Sequence, residues 1–210
     1  MLEMYLFINP IGGDCYHSEQ NILRLVDQLD EEVRFSFIPL LNLQTVSSVM
    51  RRKNIPLNDL QARNQIFNNI YQASLDYKAA SFQGKRCGRN YLLKLQEQIV
   101  DFENEYSEDI AQRVAHASNL DCAMFSDDRH SSFTINSFKQ DQKMAAEMNV
   151  REHPTVVVYN LDGVDYGVSF TGCDSYELLK QLCTGQLNED IVLKHKASAK
   201  KHHYTSLHIL

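Results

Sequence analysis

The stretch MYLFINPIGGDCYHSE, residues 4–19, decides the fold, because it passes from a strand pattern to a helix start. It opens with β-prone apolar residues, and the pair Asn9-Pro10 then interrupts the strand. Apolar residues follow at helical spacing as far as Leu29, and VRFSFIP, residues 33–39, alternates as a strand does. The start of the chain is therefore predicted to form a β-α-β unit.

The middle of the chain, from Pro56 to about Val150, carries apolar residues at helical spacing and no clear strand pattern. Several such stripes lie between residues 66 and 114. A last helix, ending near Met148, is expected to be capped by Ser131 or Ser132, because serine is a preferred cap of helix starts. This part of the chain is predicted to be a helical block.

After His153-Pro154 the sequence returns to strands. TVVVYN (155–160), an Asp-Gly turn (162–163) and VDYGVSF (164–170) form the pattern of a β-hairpin, and a helix is expected near residues 174–184. The last residues, rich in Lys and His, are predicted to be a mobile tail. The predicted sheet is mixed and has the strands Glu3–Asn9, Val33–Pro39, Thr155–Asn160 and Val164–Phe170.

The order β-α-β, helical block, β-β-α predicts an α/β fold whose two sheet halves are separated in sequence by an inserted helical domain. Residues 1–55 and 150–187 are predicted to form the sheet domain, and residues 56–149 the insertion. Residues 188–210 are predicted to be a basic C-terminal tail.

Charge and composition narrow the function classes. The 210 residues include 21 Lys and Arg against 27 Asp and Glu, a net charge of −6, which argues against a nucleic-acid partner. No apolar run is long enough to span a membrane, and the start of the chain lacks the basic region of a signal peptide. A cytoplasmic protein with no membrane partner is therefore expected; its oligomeric state stays open.

The five cysteines contain no CxxC pair. They stand at positions 15, 87, 122, 173 and 183, with no close pair among them, so neither a disulfide framework nor a metal site is predicted. The histidines and lysines between Lys194 and His203 could grip an acidic partner or a metal, but the pattern favours a solvated charge run.

Three segments resemble a known family. In DsbA-like proteins of the FrnE and YjbH branch, the place after the first strand reads Asp-Pro-x-Cys-Pro-x-Cys-aromatic. Here it reads Asn9-Pro10-Ile11-Gly12-Gly13-Asp14-Cys15-Tyr16. Cys15 thus matches the second cysteine and Tyr16 the aromatic residue, while Gly12 stands where the first cysteine is missing.

The other two segments follow in the family's order. Val150–Val157 resembles the Val-x-x-x-Pro-Thr segment, whose proline is cis, and this resemblance implies a cis His153-Pro154 bond. KAASFQGKRCGRNYLLKLQ, from Lys78 to Gln96, is similar to the Ala-x-x-x-Gln-Gly-Lys segment of the insertion in YjbH-like proteins. The resemblance implies a thioredoxin-like fold of the DsbA type.

The missing first cysteine bears on catalysis. Thiol-disulfide exchange starts from a thiolate at the exposed start of a helix and needs a second cysteine to resolve the mixed disulfide. Cys15 has no such neighbour, and the Asp14 carboxylate opposes its thiolate. Dithiol catalysis is therefore not expected, and Cys15 reads either as a small buried side chain or as the one candidate catalytic residue.

The resemblance to YjbH-like proteins implies a non-catalytic adaptor that holds the regulator Spx and presents it to the protease ClpXP. The alternative is an enzyme, either a single-cysteine oxidoreductase or a glutathione-dependent transferase or isomerase; these last carry serine at the place of Gly12. No cofactor is expected except glutathione under that alternative. An extended partner segment is expected to bind where Pro154 leaves a strand edge beside the first helix. The predicted partner-binding residues are Gly12, Gly13, Asp14, His153, Pro154 and Thr155.

Overall fold

The computed structural model describes residues 1–29, 32–161, 167–172, 175–184 and 206–209. The strands are β1 (Leu2–Ile8), β2 (Val33–Pro39), β3 (Thr155–Tyr159), β4 (Val168–Thr171) and β5 (Ser206–Ile209). The α-helices are α1 (Gly13–Gln28), α2 (Leu43–Arg52), α3 (Leu60–Phe82), α4 (Lys85–Gln96), α5 (Glu108–Ala117), α6 (Cys122–Asp128), α7 (Ser132–Glu147) and α8 (Tyr176–Cys183). A π-helix, Glu97–Asp101, continues α4.

One mixed sheet has the strand order β2-β1-β3-β4-β5. β1 and β2 are parallel, and every other neighbouring pair is antiparallel. The predicted α/β fold with helices inserted between the second and third strands is confirmed. The fourth strand runs from Val168 to Thr171 instead of the predicted Val164–Phe170, and Gly167 lies before it. Residues 162–166, with the predicted Asp-Gly turn, lie outside the described residues.

The C-terminal segment differs from its prediction. Residues 206–209, expected to belong to a mobile tail, form the edge strand β5 beside β4. Four residues after a Lys- and His-rich run are too short to show a strand pattern, so the pairing comes from the open edge of β4. Residues 188–205 and 210 of the predicted tail, and Cys173, lie outside the described residues.

Successive side chains of β1 point to opposite faces of the sheet, and both faces are covered by helices. Leu2, Met4, Leu6 and Ile8 are buried in one cluster with apolar residues of α1 and α8. Phe7 points to the other face and packs in a cluster that includes residues of β2, β3 and α7. Helices α1 and α8 therefore cover one face of the sheet, and α7 covers the other.

The inserted helices have a core of their own. α3 and α4 pack closely because Gly88 lets α4 approach Ser81, where an added Cβ would lie 2.2 Å from Ser81 Oγ. Inside this core, Asp76 accepts hydrogen bonds from Arg129 Nε at 2.8 Å and from Tyr106 Oη at 2.5 Å. Tyr91 Oη of α4 donates to the same carboxylate at 3.4 Å, and Arg129, which follows α6, also donates to Glu108 of α5 at 2.8 Å. Asp76 and Arg129 together therefore link α3, α4, α5 and the end of α6.

The sequence pattern did not predict α2. This helix begins after Asn42, whose side chain accepts from Thr45 N–H at 2.8 Å while Thr45 Oγ1 accepts from Asn42 N–H at 3.0 Å, a reciprocal cap. α2 ends at Arg52, beside the start of α1. Within the described residues, no helix combines the length and the apolar character needed to cross a membrane.

Candidate functional site

The turn between β1 and α1 is built around Asn9. Its backbone carbonyl accepts from Gly12 N–H at 3.0 Å, and its side-chain Oδ1 accepts from Ile11 N–H at 3.1 Å. Gly12 then precedes the first helical residue, and no side chain caps α1. The place of the first cysteine in the family motif is therefore a bare N-cap.

Gly12 is buried, and its lack of a side chain makes room for Asn9. A Cβ added at Gly12 would lie 3.2 Å from Asn9 Cβ and 3.3 Å from its Cγ and Nδ2. The backbone at Gly12 has φ −105°, which any residue can adopt, so the constraint is one of space. A side chain at position 12 therefore requires the Asn9 side chain to shift by a few tenths of an ångström.

Cys15 lies on the first turn of α1 and is completely buried. Its Sγ accepts from Asn9 N–H at 3.1 Å and lies 3.4 Å from His153 Nδ1. Burial raises the pKa of the thiol well above its ordinary value, and the nearby carboxylates of Glu19 and Asp14 act in the same direction. Arg52 and the Asn9 N–H oppose these effects, yet the thiol stays protonated.

His153, which contacts Cys15, comes from the other half of the sheet domain. Burial lowers the pKa of its imidazole to about 3, and the positive charge of Arg52 contributes to the shift. Its Nε2 is buried and has no hydrogen-bond partner among the described residues. Cys15 and His153 therefore meet as a neutral thiol and a neutral imidazole, whereas a nucleophilic cysteine needs its thiolate. The predicted cis bond between His153 and Pro154 is confirmed.

The predicted partner-binding residues gather around Cys15, but they differ in exposure. Gly12, Pro154 and Thr155 are buried, Gly13 and His153 are half-buried, and Asp14 is exposed and paired with Arg52. β3 lies between β1 and β4, so Thr155 pairs with Phe7 on one side and Thr171 on the other. The open strand edge expected beside Pro154 is therefore not available at Thr155, because both of its neighbours are strands of the same sheet.

A cleft of about 570 Å³ opens beside Gly12 and Gly13. α2, the first half of α3, the π-helix and the segment after it form its walls. Its apolar lining includes Ile11, Val49, Ile55, Ile66, Ile99 and Val100. Sequence patterns indicated Ile66 and Ile99 as helical stripes facing a core, and only the fold shows that they line an opening.

A buried polar pair joins α1 to the insertion. Gln96 Nε2 donates to Glu19 Oε1 at 2.7 Å, and both side chains are completely buried. Burial raises the pKa of the Glu19 carboxyl well above its ordinary value, with the Gln96 hydrogen bond opposing this effect. Glu19 Oε2 and Gln96 Oε1 have no partner, which a proton on the Glu19 carboxyl could supply. Neither residue stood out in the sequence, because nothing local marks a Glu on α1 as buried.

The described part of the chain contains neither a candidate metal site nor a disulfide. Its His, Cys, Asp and Glu side chains form no cluster of three or more that could hold a metal ion. No disulfide links the described cysteines, which are Cys15, Cys87, Cys122 and Cys183.

Comparisons with known proteins agree with this geometry. The family model described as thioredoxin, Thioredoxin_5, matches residues 5–181. The chain is 26% identical over 206 residues to the ClpXP adapter protein SpxH of Bacillus subtilis. This match covers 90% of the chain and 69% of the SpxH protein. It is 28% identical over 200 residues to the SpxH of Bacillus cereus, covering 86% of the chain and 67% of that protein.

Among solved structures, a variant of DsbA from Pseudomonas aeruginosa superposes with a TM-score of 0.61 at 14% identity, covering 88% of this chain and 86% of that one. Such a likeness concerns the fold alone. The family model, in contrast, spans the β1–α1 turn, the inserted helices, the Pro154 segment and most of α8. The chain therefore belongs to the thioredoxin family that this model describes.

Proposed function

We propose that this protein is an adaptor that holds an Spx-like regulator and delivers it to the ClpXP protease, and that it is not an enzyme. The relatives named ClpXP adapter protein SpxH support the role. The observation that carries the proposal is that Gly12 stands in the place of the first cysteine while Cys15 is buried and protonated. The role places the protein in the cytoplasm and requires no cofactor.

The proposed binding surface surrounds the start of α1. Gly13, Asp14 and His153 are the members of the predicted set that are at least partly exposed, so they are the ones a partner can touch. Gly12, Pro154 and Thr155 are buried beneath them and would act by shaping the backbone. A partner would thus meet the surface from which a thioredoxin-fold enzyme attacks its substrate, with no nucleophile exposed on it.

A degradation assay tests the adaptor role. Purified ClpX, ClpP, ATP and Spx are incubated with and without the chain, and the remaining Spx is followed on gels. We expect the chain to accelerate Spx loss and to copurify with Spx. Cys15→Ser, which keeps a hydrogen-bonding side chain of similar size, is expected to act like the wild type. No acceleration and no copurification would show that the proposal is wrong.

The enzyme alternative makes a different prediction. A single-cysteine oxidoreductase would reduce insulin with dithiothreitol, and a glutathione transferase would conjugate glutathione to an electrophilic aromatic substrate. We expect neither activity, because the only thiol at the start of α1 is buried and protonated. Robust activity that Cys15→Ser abolishes would favour the enzyme.

A further inference from the structure

The cleft beside Gly13 has an apolar lining that is only partly covered. Ile11, Val49, Ile55, Ile66, Ile99 and Val100 are all half-buried and all line it. Its volume of about 570 Å³ lies within the range of sites that enclose a ligand. Apolar side chains arranged around a concave surface are stabilised when an apolar occupant removes them from water.

The α1 side of the cleft presents hydrogen-bond donors. Asn9 lines the cleft and is only 2% exposed, and its Oδ1 is held by Ile11 N–H. Its Nδ2 lies next to Gly12, 3.3 Å from the place where a Gly12 Cβ would stand. The N–H groups of the first turn of α1 lie next to it, and no side chain caps them. A buried donor and a helix start together favour an anionic acceptor.

Charges on the walls strengthen this preference. Arg52 and Lys53, at the end of α2, line the cleft near the start of α1, and within the described residues Lys53 has no ion pair. Glu103 and Glu105 line the cleft from the segment after the π-helix. An occupant therefore finds cations and donors on one wall and carboxylates on another.

We infer that this cleft binds a short internal segment of a partner protein whose apolar residues flank an acidic side chain, and that the carboxylate lies at the start of α1 beside Asn9 and Lys53. The inference rests on the proposed function in that it names what part of a client the adaptor would grip. A basic residue further along the segment would face Glu103 and Glu105. Because the two walls carry opposite charges, they favour an internal segment, which can present both an acidic and a basic side chain. A C-terminal end presents only its carboxylate.

Two matched pairs of variants test whether peptide binding depends on the cleft or on another part of the molecule. A Cβ at Gly13 would lie 3.6 Å from Val100 Cγ1, an ordinary contact, so Gly13→Ala is tolerated while Gly13→Leu extends a side chain into the cleft. Lys53→Glu reverses a charge on the cleft wall. Lys139→Glu makes the same change on the exposed side of α7, away from the cleft, and serves as its control.

The probe is a phage-displayed library of random octapeptides inserted in a surface loop, selected against the full chain. We expect the selected peptides to combine apolar residues with Asp or Glu. Exchange of that acidic residue for its amide should weaken binding about tenfold, consistent with a charged hydrogen bond in a partly buried place. Gly13→Leu should weaken binding by at least about tenfold, since it occupies the apolar space, and should weaken it more than the smaller Gly13→Ala does.

The charge pair gives a second criterion. Lys53→Glu should weaken binding about threefold to tenfold, in the range of partly exposed ion pairs, and Lys139→Glu should leave it unchanged. Circular dichroism on each variant shows whether a loss of binding follows from unfolding.

Several outcomes would overturn the inference. The selected peptides would lack an acidic residue, or they would bind Gly13→Leu as well as the wild type. The inference would also be wrong if peptides were selected only from a second library that displays them at a free C-terminus. Failure of the adaptor role is recognised separately. If Spx is degraded equally with wild type and Gly13→Leu, the adaptor role stands and the cleft inference fails. If acidic peptides bind the cleft but Spx degradation is not accelerated, the cleft inference stands and the adaptor role fails.

Discussion

Cys15 and His153 show how burial decides the chemistry of a residue pair. Their polar atoms are 3.4 Å apart, a spacing at which a thiolate and an imidazolium would attract strongly. Both charged forms lose hydration at this place, and burial is the largest cause of both pKa shifts. The neutral pair is therefore the stable one, and the same two residue types that serve catalysis elsewhere serve packing here.

The pH dependence of stability should reveal neutral His153. Its pKa is about 3 in the folded protein and near its ordinary 6.5 when unfolded, so only the unfolded chain takes up a proton between these values. Its stabilising contribution is complete above pH 6.5 and is lost as the pH falls. We expect the wild type to lose up to about 2 kcal/mol relative to His153→Gln between pH 7.5 and 5. Urea unfolding at several pH values measures this difference, and parallel curves would contradict it.

Glu19 should act in the opposite direction. Burial raises the pKa of its carboxyl in the folded protein, so its contribution is complete below the unfolded value of about 4.5 and is lost as the pH rises. Glu19→Gln keeps the shape and removes the titration. The free energy of unfolding of this variant, relative to wild type, should increase from pH 4.5 to 7.5 in urea experiments. The exposed Glu147→Gln is the control, and an equal rise there would show that burial is not the cause.

At the scale of elements, the crossing of α3 and α4 depends on Gly88. An added Cβ would lie 2.8 Å from Ser81 Cα as well as 2.2 Å from its Oγ, so the helices themselves have to separate. We expect Gly88→Ala to reduce the free energy of unfolding by about 1–3 kcal/mol, as overpacking does, despite the better helix propensity of alanine. Asn90→Ala, on the exposed face of α4, should be nearly neutral. Chemical denaturation compares them, and an unchanged midpoint for Gly88→Ala would be evidence against this packing.

Elements whose pattern is local could be predicted from the sequence, and those that depend on distant partners could not. The period-two pattern of β1 and β2 and the serine cap of α7 act within a few residues, and their predictions are confirmed. β5 depends on the edge of β4, and the half-buried state of Ile66 depends on what faces α3. For the site, Gly12 and Cys15 were visible in the motif, but the environment of Cys15 is set by His153, 138 residues away.

For the whole molecule, β5 completes one side of the sheet. It pairs with all four residues of β4, so its removal would leave β4 as an exposed edge. We expect a chain ending at residue 205 to lose about 1–3 kcal/mol of stability, as a few backbone hydrogen bonds would give, and to self-associate more readily. Thermal unfolding and light scattering measure the two effects. A chain ending at 209 is the control, and equal behaviour of both would mean that β5 contributes nothing to the sheet.

The contact between Gly12 and Asn9 also bears on how this chain could change by descent. A mutation to cysteine at position 12 would bring its Cβ to 3.2 Å from Asn9, whose carboxamide holds the turn through Ile11. Gaining a second thiol and keeping this turn are therefore coupled changes, because the Asn9 side chain has to move to make room for the new Cβ.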